Sequence, residues 1–236
     1  KKNKKEKVIS INKDEVELKK MLFDKVSQFL NKNWDTRYNE ITAQIELKEK
    51  KQKNFYPIED YHFNTMLIRA KKEAGLKISD NFLKQYLKSY QTKRVNPVRS
   101  EIDRYSKLFN NQTGIISEFA HTVTTNNSDK WELYLTKWLV GLVANVYEDD
   151  KCTNHVCLTL SGEQGKYKST WLSSILPDAL VPYRYIGKIY PNSKDSLALL
   201  ATKLLIIIDD QLQQINKKDE NDLKELITKP AVTWRV

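Results

Sequence analysis

The stretch Gly162-Glu163-Gln164-Gly165-Lys166-Tyr167-Lys168-Ser169-Thr170 constrains this chain more than any other. An apolar run, Val156 to Leu160, leads into it, and a helix-like segment, Thr170 to Leu176, leads out. Strand, glycine-bearing loop, Lys-Ser and helix is an arrangement that cradles phosphate. Successive backbone N–H groups of such a loop point into one concavity, and the helix N-terminus adds a favourable dipole. In that arrangement Lys168 reaches the β- and γ-phosphates of a nucleotide and Ser169 sets its hydroxyl on Mg²⁺. Gly162, Glu163, Gln164, Gly165, Lys166, Tyr167 and Thr170 complete the expected cradle for ATP. The usual pattern is G-x-x-x-x-G-K-[ST], and Tyr167 stands where its last glycine falls. Tyr167 must therefore take a backbone geometry that glycine adopts freely.

A second motif supports the first. Leu204, Leu205, Ile206, Ile207 and Ile208 form an apolar run too short for a helix, which predicts a strand buried on both faces. It ends in Asp209-Asp210, 41 residues beyond Lys168. A carboxylate pair at the end of a buried strand is the Walker-B arrangement. Asp209 is the expected Mg²⁺ ligand, and Asp210 is placed to orient or deprotonate the attacking water.

The 236 residues suit one large or two small domains. The longest apolar run is the five residues just named, so no membrane span is expected. Cys152 and Cys157, with three histidines in no metal-ligand spacing, argue for free thiols in a cytoplasmic protein rather than a zinc site. The net charge of +10 is unevenly spread: 23 basic and 13 acidic residues precede Pro97, and 17 of each follow. A basic module joined to a neutral one points to a polyanion partner for the first, most often nucleic acid.

Residues 1–7 read as a basic lead-in. Asn12 to Glu15 caps a helix over 13–30 whose stripe is Leu18, Met21, Leu22, Val26 and Phe29. Ile41, Ala43, Ile45 and Leu47 alternate as a half-buried strand, with Trp34–Asn39 as a hairpin partner. Two helices follow, the first stopped by Gly75 and the second capped by Ser79. Lys71, Lys72, Lys77, Lys84 and Lys88 lie on them, and a winged helix-turn-helix is one reading of this part. Pro97 opens a new helix, so residues 1–95 form a basic α+β domain. Residues 96–236 form the nucleotide-binding domain, with a helical lead-in over 97–150 and a core over 151–236. Ser128 or Asp129 caps a helix whose stripe, Trp131 to Val146, is expected to pack on the nucleotide-binding sheet. Ser193 reads as a helix cap with Lys194 and Asp195 behind it. A helix around 219–228 precedes a strand over Val232–Val236 that carries Arg235. The fold class is therefore α/β, a P-loop NTPase behind a small, mostly helical α+β domain.

At the GEQGKYKSTWL loop, the SKDS segment, the IIIDDQ strand end and LKELITKPAVTWRV, the chain resembles the virulence-associated E family of mobile-element primase–helicases. Asn96-Pro97-Val98 and the segment from Lys137 to Val143 resemble what precedes the loop in that family. The resemblance implies an AAA+-like ATPase related to superfamily 3 helicases, acting in phage or mobile-element replication. It implies ATP and Mg²⁺ as ligands, DNA as a partner and self-association into a hexameric ring. It gives Lys168 and Ser169 Walker-A roles, Asp209 and Asp210 Walker-B roles, and Arg235 a contact with nucleotide, neighbour or DNA. The sensor residue and arginine finger are expected beyond Val236, leaving an incomplete ATPase domain. Two other readings stand beside the motor: an ATP-switched DNA-binding initiator, and a P-loop ATPase of defence or signalling.

Overall fold

Apolar spacing of 3.6 residues makes α1 (Lys13–Asn33) amphipathic, yet only its second half reaches a core. Val26, Phe29 and Leu30 are buried, whereas Leu18, Met21 and Leu22, expected to join them, are exposed. A helix of this length runs about 31 Å at 1.5 Å per residue. The six-residue strands beside it span about 20 Å, so its first turns extend past the strands. The structure, a computed structural model, describes residues 13–109, 112–149, 154–191, 193–209 and 217–229. These fall into two compact units, 1–95 and 96–236.

In the first unit, β1 (Trp34–Asn39) and β2 (Gln44–Glu49) form an antiparallel hairpin, with Trp34 opposite Glu49 and Asn39 opposite Gln44. Ile41 and Ala43 lie in the turn rather than in a strand. The cause is Asn39, whose buried side chain accepts the backbone N–H groups of Ile41 (3.0 Å) and Thr42 (3.3 Å) and folds the chain back on itself. Ala43 closes the turn at φ 54°. Asn39 also donates to Glu46 Oε1 (2.7 Å), and Arg37 pairs with Glu46 Oε2 (2.7 Å), so a buried carboxylate is fully engaged.

The short β3 (Tyr56–Pro57), α2 (Asp60–Ala74), α3 (Asp80–Leu87) and β4 (Lys93–Val95) follow. The sheet order is β3-β2-β1-β4, with β4 parallel to β1. The helix pair comes after the hairpin, and Gly75 ends α2 at φ 64° while Ser79 caps α3 through Phe82 N–H (3.2 Å). Met66, Ala70, Leu83 and Leu87 from these helices close one core with Val26, Leu30, Trp34 and Leu47.

The second unit opens with α4 (Pro97–Phe109), α5 (Ile115–Ala120) and α6 (Ser128–Tyr147). Asn127, one residue before the expected cap, accepts Lys130 N–H and starts α6. Of the expected α6 stripe only Leu135 is fully buried, and Val143 is exposed. The helix packs most extensively on α5, where Trp131 Nε1 donates to Ala120 O (2.9 Å), not chiefly on a sheet as the sequence suggested.

Beyond come α7 (Lys168–Ser173), a 3₁₀ turn (Asp178–Tyr183), β5 (Arg184–Ile186), α8 (Lys194–Thr202), β6 (Leu205–Ile207) and α9 (Lys217–Thr228). β5 and β6 pair in parallel, Tyr185 opposite Ile206, with α8 as the crossover. Leu205 and Ile207 on one face of β6 are buried, while Ile206 on the other is half-buried, so the expected burial on both faces is only partly met in this two-stranded sheet. Residues 154–163, by contrast, make no ladder. A strand exists only through a partner's hydrogen bonds, and no described segment pairs in a ladder with Val156–Leu160. Its apolar composition alone therefore gives no strand, and Val156 is left exposed. The expected strand at 232–236 lies outside the described residues, as do Asn12 and Cys152. Among the described residues, no helix is long and apolar enough to cross a membrane.

Candidate phosphate and metal site

The loop between residue 161 and α7 bends where its glycines allow. Gly162 (φ 151°) and Gly165 (φ 78°) hold positive φ, and a Cβ added at either would meet nothing within 4 Å. Backbone conformation, not crowding, requires glycine there. Tyr167 takes φ 55° and ψ 23°, the left-handed geometry expected of it, and precedes α7 directly. A non-glycine residue in that region costs about 1–2 kcal/mol. The tyrosine ring projects into solvent, and its carbonyl accepts Trp171 N–H (2.9 Å) to begin the helix.

Lys168 is half-buried and turns its ammonium back onto the loop. Nζ donates to Gly162 O (3.0 Å) and Glu163 O (2.7 Å), which closes the loop into a ring around one cation. Glu163 and Lys166 form an exposed pair at 3.4 Å, while Gln164 and Thr170 are solvent-facing.

Ser169 meets the second motif. Its Oγ donates to Asp209 Oδ2 at 2.9 Å, joining the start of α7 to the residue two beyond β6. A hydroxyl and a carboxylate from separate elements thus converge beside the loop. These are the oxygen donors that hard divalent cations take. Among the described residues, no group of three or more His, Cys, Asp and Glu side chains could hold a metal. Two protein oxygens, with water and phosphate oxygens filling the other positions, suit Mg²⁺, which keeps several waters and binds through few protein ligands. The donor set therefore fits that ion. Asp210 and Arg235 lie outside the described residues.

Two supports of this geometry are not evident from the motifs. Trp171 stacks on Phe119 (4.8 Å between centroids, 16° between planes), lies 5.7 Å from the Trp131 ring, and donates from Nε1 to Thr122 Oγ1 (2.8 Å). It ties α7 to α5, to α6 and to the turn after α5. Arg184, the first residue of β5, donates to Ser173 O at the C-terminal end of α7, where a cation also complements the helix dipole. The Tyr-Arg-Tyr-Ile alternation before Gly187 was the available signal for β5; no spacing rule links Arg184 to Ser173. Ser193 precedes α8 without capping it, and the buried Ser196 instead accepts Tyr190 N–H (3.0 Å).

The geometry brings a glycine-bearing loop, the start of α7 and the Asp209 carboxylate together. Residues 102–236 match the family model described as the virulence-associated protein E-like domain. The match spans more than half of the chain, and the chain belongs to that family. The family is associated with replication proteins of phages and mobile elements. No curated protein matches the chain.

Proposed function

We propose that this chain is the ATPase module of a phage or mobile-element replication protein, hydrolysing Mg-ATP to move on DNA, within a P-loop fold of the AAA+-like type. The observation that carries the reading is the 2.9 Å contact between Ser169 Oγ and Asp209 Oδ2 beside the Lys168 loop. Two motifs 40 residues apart in sequence supply the two halves of one ion position. Family membership agrees with a role in replication.

In this reading Lys168 exchanges the carbonyls of Gly162 and Glu163 for the β- and γ-phosphate oxygens. The backbone N–H groups of Gly162–Thr170 bind the remaining oxygens. Mg²⁺, held by Ser169 and Asp209, supplies charge neutralisation at the phosphates. Asp210 takes a proton from water as the water oxygen bonds to the γ-phosphorus and the bond from that phosphorus to the bridging oxygen breaks, releasing ADP and phosphate. Arg235 contacts nucleotide, a neighbouring subunit or DNA, and the ring-forming partner is a second copy of the chain.

The test is ATP binding and turnover by the full chain, with and without single-stranded DNA. Lys168→Ala should abolish both, and turnover by the unsubstituted chain should rise with DNA. ATP binding that survives Lys168→Ala unchanged would refute the site. A second reading, an ATP-switched initiator, is favoured by the concentration of the whole +10 charge before Pro97. Salt-sensitive duplex binding without ATP-driven strand displacement would select it over the motor.

A further inference from the structure

The first unit contains a cleft of about 710 Å³ that the nucleotide site does not use. That volume lies within the range of small-ligand sites. Its lining runs from the turn after β1 across α3 to β4 and includes Ile45, Ile58 and Phe63 as apolar surface. Lys84, Lys88 and Arg94 stand around it, and its lining holds no Asp or Glu. Two tyrosines join them. Tyr90 is 89% exposed, and Tyr38 lies 5.0 Å beneath the Arg94 guanidinium. Glu40 pairs with Arg94 at 3.2 Å and so holds that side chain in place. Lys84 sits 5.2 Å above the Phe63 ring.

Thr92 forms part of the cleft wall and is only 3% exposed, its hydroxyl sealed from solvent.

We propose that this cleft binds single-stranded nucleic acid. An unpaired base has the required chemistry: an apolar face for Tyr90 and the cleft wall, and flanking phosphates for Lys84, Lys88 and Arg94. A duplex buries the base faces that the aromatic and apolar lining would meet. An acidic peptide would satisfy the cations and leave the exposed tyrosine without a stacking partner. The unit's net charge of +10 attracts the polyanion. This site is separate from the nucleotide loop and stands without it.

Fluorescence anisotropy of a short labelled single-stranded oligonucleotide, with the full chain and no ATP, tests the proposal. Stacking on an aromatic contributes about 1–3 kcal/mol per base, so Tyr90→Ala should weaken binding about 5- to 160-fold. Tyr90 is exposed, so the fold should survive, as circular dichroism would verify. Lys88→Ala should weaken binding several-fold and lower the salt slope by about 0.7, one single-strand phosphate contact. Lys168→Ala should leave all of these affinities unchanged, so failure of the cleft and failure of the ATP site read out separately. Unchanged affinity in both Tyr90→Ala and Lys88→Ala, or tighter binding to duplex than to single strand, would overturn the proposal.

Discussion

The two units solve the problem of holding a shape differently. Among the described residues, the smaller first unit buries twelve hydrophobic side chains in one cluster, and the larger second unit buries ten. The second leaves Leu133, Tyr134, Val140 and Val143 exposed along α6. The first is held by core depth. The candidate site of the second is held by point ties: Ser169 to Asp209, Arg184 to Ser173, and Trp171 to Thr122 and Phe119. A deep core resists change at any one surface position. A site held by a few ties is sensitive to each of them and can rearrange when a ligand replaces one.

The largest test of that contrast is a core truncation. Met66 is fully buried in the first unit, and Met66→Ala should lower stability by about 2–5 kcal/mol in urea unfolding. Val140→Ala, at a position 59% exposed, should change it by less than about 0.5 kcal/mol. Equal losses would erase the distinction between the units. Next is the aromatic tie. Trp171→Ala removes two ring contacts and one hydrogen bond, and aromatic pairs contribute about 0.5–1.5 kcal/mol each. ATP affinity measured by titration calorimetry should fall about tenfold, with Trp171→Phe keeping most of it. A truncation that leaves affinity untouched would show that α7 needs no anchor.

Asn39→Ala should cost about 1–3 kcal/mol, because Glu46 loses a donor and the β1–β2 turn loses its acceptor. Tyr167→Gly should act in the opposite direction, raising stability by up to about 1 kcal/mol as the left-handed strain is relieved, read as a higher melting temperature. The smallest effect is electrostatic. A hydrogen bond from Lys50, aided by the charges of Lys50 and Lys48, holds the Asp35 carboxyl below its usual 3.8, against the upward push of burial. A depressed carboxylate pKa contributes stability above the unfolded value and loses it as pH falls through the folded one. Asp35→Asn should therefore lower stability slightly at neutral pH and flatten the acid limb below about pH 4, the two proteins converging as pH falls through the folded value.

The candidate site was legible where chemistry and spacing coincide. Lys168 and Ser169 follow a loop whose glycines announce its bends, and Asp209 follows an apolar run too short to be anything but a strand. The left-handed geometry of Tyr167 could be deduced from the glycine it displaces. Arg184, Thr122 and Phe119 could not be read this way, because their roles depend on which elements meet. The hairpin, the Gly75 stop and the Ser79 cap were equally legible, since each is decided within a few residues. The α1 and α6 stripes misled because periodicity identifies an apolar face but not how much of it another element covers.

By itself, then, the sequence determined the local conformations and the chemical inventory: helix faces, left-handed positions, a glycine-bearing loop ahead of Lys168 and Ser169, and an acid at a strand end. These depend on backbone sterics and side-chain type, which act over a few residues. Tertiary structure alone decided that Ser169 and Asp209 meet, that residues 154–163 have no ladder partner among the described residues, and that Thr92 is buried unpaired beside Tyr90 and Lys88. Those outcomes depend on long-range packing, and packing is set by which faces find partners, a property that no single stretch of the chain carries.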